Sequence, residues 1–61
     1  MDLVNYLHKK VRMILEDGTV IEGVVRGYDT AYDSGDDYDS ISIGHYFYFE
    51  NQIKSIEIIE D

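Results

Sequence analysis

Hydrophobic and polar positions alternate along most of this chain, and the breaks in the alternation divide it into one helical stretch and five strands. From Asp2 to about Lys10 the spacing is helical. Leu3 and Leu7 lie four apart on one face, Asp2 stands where an N-cap belongs, and Lys9 and Lys10 sit at the negative end of the dipole. A helix of about two turns is unstable by itself in water. Leu3, Tyr6 and Leu7 are therefore expected to dock onto the rest of the protein and cap an open end of it. From Val11 the period drops to two, with Val11, Met13 and Leu15 set against Arg12, Ile14 and Glu16, which predicts a half-buried strand.

Asp17-Gly18 predicts a hairpin turn of type I′. The second strand then runs from Thr19 to about Tyr28, with Ile21, Gly23, Val25 and Gly27 on one face and Val20, Val24 and Tyr28 on the other. Two glycines on one face of a strand mark a sharp bend, and bending a long strand is how a small sheet curls into a barrel. An acidic loop follows, from about Asp29 to Ser40. Ile41 and Ile43 make a third strand, Gly44-His45 a tight turn, and Tyr46 to Phe49 a fourth strand that is aromatic on both faces. Glu50-Asn51-Gln52 is a polar break before a last strand carrying Ile53, Ile56, Ile58 and Ile59, with Glu57 outward.

Composition narrows the picture. With 61 residues there is room for one domain, 1–61, and so short a chain buries a small share of its surface. Zero Cys removes disulfides and thiolate zinc sites as supports, which leaves oligomerisation as the leading one. A hydrophobic content of 44% is enough for a folded core in spite of the charge. Asp2, Asn5, His8, Lys9 and Lys10 interrupt the N-terminal stretch, so neither a signal peptide nor a membrane helix is expected, and a cytoplasmic location follows by default.

The hairpin Leu15-Glu16-Asp17-Gly18-Thr19-Val20-Ile21-Glu22-Gly23, then Gly27-Tyr28-Asp29, and then Ile53, Ile56 and Ile58 resemble the first motif, the Gly-Phe-Asp and the final strand of the Sm and Sm-like family. The order of elements resembles that family over nearly the whole chain. The resemblance implies a mostly-β fold: a small five-stranded antiparallel Sm-like (SH3-like) barrel with a short N-terminal α-helix over about 2–10. It also implies ring assembly, in which the fourth strand meets the fifth strand of the next subunit. Tyr46, Tyr48, Ile56, Ile58 and Ile59 are then the expected oligomer edge. Two positions depart from the RNA-binding pattern of that family. Asp33 stands where a base-contacting Asn is expected, and Phe49-Glu50-Asn51 replaces the Arg-Gly or Lys-His type of second motif. An ionised Asp only accepts hydrogen bonds and repels phosphate, so the base pocket does not carry over.

Net charge is −8, and a field of that sign disfavours nucleic acid. Lys9, Lys10 and Arg12 form the one basic cluster and are the candidate nucleic-acid contacts if RNA is bound at all. The acidic loop has three readings. As a cation site it lacks the spacing of an EF-hand loop, and as a solvated, mobile loop it needs no partner. As a contact surface for a basic protein, Tyr28, Asp29, Tyr32, Asp33, Asp36, Asp37, Tyr38 and Asp39 supply carboxylates and aromatic area, and the Sm-like fold does include acidic, protein-binding members such as the Rho-inhibiting proteins. His8 and His45 fall in no pattern with a nucleophile, so no enzyme, cofactor or metal is expected. The expectation is a non-catalytic Sm-like module, oligomeric and protein-binding. An RNA-binding ring and a monomeric SH3-like interaction domain are the alternatives.

Overall fold

The computed structural model describes residues 2–59. Five strands follow one another: β1 (Lys10–Leu15), β2 (Val20–Asp29), β3 (Ser40–Ile43), β4 (Tyr46–Phe49) and β5 (Ile53–Ile58). They form one antiparallel sheet in the order β4-β3-β2-β1-β5. The fold class expected from the periodicity is thus present as a mostly-β, five-stranded sheet. Strands β4 and β5 are its two edges, so the sheet is an open one rather than a closed barrel.

Strand β2 carries both halves of the sheet. Val20 to Val24 pair with β1, and Val25 to Asp29 pair with β3. The bend between the halves falls where the glycines are. Gly23 lies opposite Val11, and a Cβ built on it would stand 2.6 Å from Ile43 Cγ2. Only a residue without a side chain lets β3 fold over β2 this closely. Inside the fold, Leu3, Val11, Met13, Val25, Ile41, Ile43 and Ile53 are buried, with Tyr6, Leu7, Leu15, Ile21, Tyr28, Tyr48 and Ile56 packed around them.

The N-terminal segment differs from the expected α-helix over about 2–10. It is a single 3-10 turn, Leu3–Tyr6, and Asp2 makes no side-chain cap. Its bonds run from each N–H to the third carbonyl before it: Asn5 to Asp2, Leu7 to Val4 and Lys9 to Tyr6. The helix stops because β2 claims the backbone beyond it. His8 N–H donates to the Val25 carbonyl at 2.8 Å, and the Lys9 carbonyl accepts from Val25 N–H at 3.0 Å. Lys10 already pairs with Val24. His8 turns the chain into the strand with φ = 68°, a left-handed conformation that His tolerates better than most residues. The docking itself is as expected, since Leu3 is buried and Tyr6 and Leu7 pack beside it.

Two further differences come from β-bulges, each of which inserts one residue and exchanges the faces beyond it. Between Val25 opposite Ile43 and Gly27 opposite Ser42, Arg26 is the additional residue. Tyr28 therefore lies opposite buried Ile41 and packs on the core, not on the face of Val20 and Val24. Gly27 moves to the outer face, where a Cβ would meet Ser42 Oγ. Between Ile14 opposite Ser55 and Leu15 opposite Ile53, Lys54 is additional, which is how Ile53 and Ile56 reach the same face three residues apart. The first turn is also longer than a two-residue I′ loop. Gly18 N–H donates to Leu15 O, Leu15 N–H donates to Thr19 O, and Gly18 alone has a positive φ, as in a three-residue hairpin loop.

Gly23→Ala is expected to lower unfolding stability by about 1–3 kcal/mol, because the new methyl collides with the branched, buried Ile43. A urea titration followed by far-UV circular dichroism measures it.

Candidate functional site

Three groups of residues bear on function: the acidic segment between β2 and β3, the basic residues around the start of β1, and the two sheet edges. The acidic segment is folded, which the solvated-loop expectation did not anticipate. A one-turn helix, α1 (Ala31–Ser34), stands in it. Thr30 caps it, its Oγ1 accepting from Asp33 N–H at 3.1 Å, and Gly35 ends it at φ = 75°.

Asp39 ties this helix to the sheet. Its Oδ1 accepts from Ala31 N–H at 2.8 Å, its Oδ2 accepts from the Tyr28 hydroxyl at 3.0 Å, and its backbone carbonyl accepts from Glu50 N–H at 2.9 Å. The hydrogen bond to Asp39, with some burial, raises the Tyr28 pKa above its ordinary value, because ionising the phenol would set two anions together. Tyr28 and Asp39 are therefore structural members of the segment. Asp29, Asp33, Asp36, Asp37 and Tyr38 remain exposed, and Tyr32 is 95% exposed. Among the described residues no group of three or more His, Cys, Asp or Glu is arranged to hold a metal ion.

The basic cluster is divided by what surrounds it. Arg12 lies on the outer face of β1 between Glu22 of β2 and Glu57 of β5, directly opposite both. Its Nε donates to Glu22 at 2.9 Å, and Nη1 stands 3.5 Å from Glu57. The bond to Glu22, reinforced by its charge and that of Glu57, raises the guanidinium pKa. A cation set between two carboxylates offers little to a phosphate. Lys9 and Lys10 are exposed at the entry to β1, and Lys10 shares the outer face of that strand with Arg12, whose charge Glu22 and Glu57 offset.

At the edges, Tyr48, Ile56 and Ile59 are half-buried, whereas Tyr46 is 70% exposed and Ile58 is 48% exposed. Both exposed residues belong to the inner face: Tyr46 lies opposite buried Ile43, and Ile58 opposite buried Val11. Phe47, absent from the expected edge set, is 64% exposed on the outer face opposite Ser42. The signal for it is legible in the sequence, since Phe47 is out of phase with Tyr46 and Tyr48 and a one-layer sheet has no core on that side.

Two concavities open to solvent, one of them, of about 290 Å³, lined by Arg12, Ile14, Ser55, Ile56 and Glu57. The other, of about 260 Å³, lies between the first turn and the Glu50–Gln52 turn and is lined by Leu15, Glu16, Asp17, Asn51 and Gln52. Thr19 N–H donates to Asp17 at 2.9 Å and holds that carboxyl below its usual pKa. No helix among the described residues is long and apolar enough to cross a membrane. No family model matches the chain, and no curated protein or solved structure is detectably similar to it.

The Tyr28–Asp39 contact makes a testable pH dependence. A folded-state pKa raised above the unfolded value of about 10 means stability that is complete below that pH and lost as pH rises through the folded pKa. In Asp39→Asn, where the carboxylate is gone, the Tyr28 ring is expected to titrate at lower pH than in the unaltered protein. An alkaline NMR titration of the Tyr28 ring resonances reads the shift.

Proposed function

We propose that this protein is a non-catalytic, Sm-like binding module that works by joining its sheet edges to other strands, in the first place those of its own copies. One observation carries the reading: at each edge of the sheet a core-facing side chain is left bare, Tyr46 on β4 for the most part and Ile58 on β5 by about half. Unpaired edges with apolar flanks are what strand addition uses. The size of the chain supports the same reading, because a core of this extent gains from burying further surface against a partner.

The Sm-like assignment rests on the hairpin and Gly27-Tyr28-Asp29 motifs together with the strand order β4-β3-β2-β1-β5 and its bent central strand. RNA is the less favoured ligand of such a module. The net charge of −8 opposes it, Arg12 is held by Glu22 and Glu57, and Asp33 occupies the position of the base-contacting Asn. An enzyme is disfavoured as well, since neither His8 nor His45 lines the two concavities described, and in the one lined by Arg12, Ser55 and Glu57 the carboxylate faces the Arg12 guanidinium at 3.5 Å.

Light scattering across a dilution series is expected to show mass rising with protein concentration. Uridine- or adenine-rich RNA in low salt is expected to leave that mass unchanged. A species that stays at 7.1 kDa at every concentration would sink the reading, and a mass increase that requires RNA would replace it with the nucleic-acid one.

A further inference from the structure

The chain enters β1 through a turn whose geometry asks for glycine and holds a histidine. Lys9 N–H donates to Tyr6 O at 3.0 Å, Leu7 lies at φ = −60° and ψ = 129°, and His8 has φ = 68°. Those values make residues 6–9 a type II β-turn, whose third position needs φ > 0 and is ordinarily Gly or Asn. The sheet makes the same demand. His8 N–H donates to Val25 O while Val25 N–H donates to Lys9 O, so two residues of the entering chain oppose one of β2. That is a bulge whose first residue, when left-handed, is usually glycine. The His8 side chain is exposed, so packing of its ring does not offset the left-handed backbone.

Beyond this hinge the Leu3–Tyr6 turn is held to the sheet, among the described residues, by side chains. The backbone bonds from Asn5 to Asp2 and from Leu7 to Val4 close within the segment, and the first bond to a strand is that of His8. Leu3 is the anchor. It is 1% exposed in the cluster formed by Val11, Met13, Val25, Ile41, Ile43 and Ile53, with Tyr6 and Leu7 packed at its side, whereas adjacent Val4 is half exposed. The segment is thus an apolar plug on a strained tether, and Leu3 itself shows what the socket accepts. We propose that the plug is exchangeable between copies: the chain swings out about His8 and seats Leu3 in the core of a second copy, whose own Leu3 fills the socket left behind.

Exchange replaces each plug contact by the same contact from the other copy, so the hinge and the entropy of joining two chains decide the balance. In the exchanged form His8 returns to extended backbone. Relief of the left-handed conformation then favours exchange at both hinges of the dimer. Against it, a plug on a short tether competes for its own socket at an effective concentration in the millimolar range. The exchanged dimer of the unaltered chain is therefore expected to fill as protein approaches that concentration. Reach is sufficient, because the residues from Leu3 to His8 span roughly 20 Å when extended at about 3.3 Å each, close to the 22 Å width of the domain. Neither β4 nor β5 takes part, so exchange goes beyond edge association and stands independently of it.

Isotope-filtered NOE spectroscopy on the full chain tests the exchange. Carbon-13-labelled and unlabelled chains are mixed in urea and refolded together at millimolar concentration. Contacts from Leu3 methyls to Met13 and Val25 methyls are expected between labelled and unlabelled chains, fading on dilution. His8→Gly, which suits the left-handed turn, is expected to raise the dissociation constant read from those contacts on the order of tenfold or more, since strain is removed at two hinges per dimer. His8→Val, whose branched side chain resists φ > 0, is expected to lower it. Circular dichroism checks that both variants keep the sheet, and His8→Gly, which relaxes the turn, keeps the test decisive if His8→Val fails to fold. Leu3 contacts confined to one chain in the refolded mixture, or a dissociation constant unchanged in His8→Gly, would overturn the exchange. Both results leave edge association standing, because the light-scattering series tests that reading without any contact from Leu3.

Discussion

The close approach of Ile43 to Gly23 is the contact on which the rest of the structure depends. Strand β2 has to serve β1 with its first half and β3 with its second, and the two halves share one core only if the strand bends between them. With no side chain at Gly23, β3 lies down over β2 and buries Ile41 and Ile43 against Val11, Met13 and Val25. The Leu3–Tyr6 turn then closes the same core by inserting Leu3. A longer helix there would have to release the backbone bonds that His8 and Lys9 make with Val25.

The bulges at Arg26 and Lys54 have consequences at opposite ends of the molecule. The first brings Tyr28 inward, where its hydroxyl reaches Asp39 and anchors the acidic segment. The second keeps Ile53 and Ile56 on one face while placing a lysine on the edge of β5. A single inserted residue thus decides whether an aromatic ring is part of the core or part of the surface, because side-chain direction in a strand has a period of two.

Charge is arranged by the same register. Glu22, Arg12 and Glu57 form one row across β2, β1 and β5, so the cation in the middle of β1 is matched within the chain. Most of the excess negative charge is set apart on the α1 segment, at the far side of β4 from its turn. That separation leaves the aromatic edge free of charged side chains even though the chain carries −8.

The period-two runs, the turn glycines and the polar break at Glu50-Asn51-Gln52 were enough, read from the chain alone, to determine five strands, their order along the chain and most of the inner face. Those signals are local: alternation reports a half-buried strand wherever it occurs, and a glycine at a turn reports a backbone that other residues resist. The site was less legible. Asp39 reads as one more acid in an acidic loop, and only the fold brings it to the Tyr28 hydroxyl and Ala31 N–H. Arg12 reads as part of a basic cluster, and only the register places Glu22 and Glu57 beside it. The bulges and the open edges were likewise decided by tertiary structure. Each depends on which residue of a distant strand lies opposite, and no spacing within one strand carries that information.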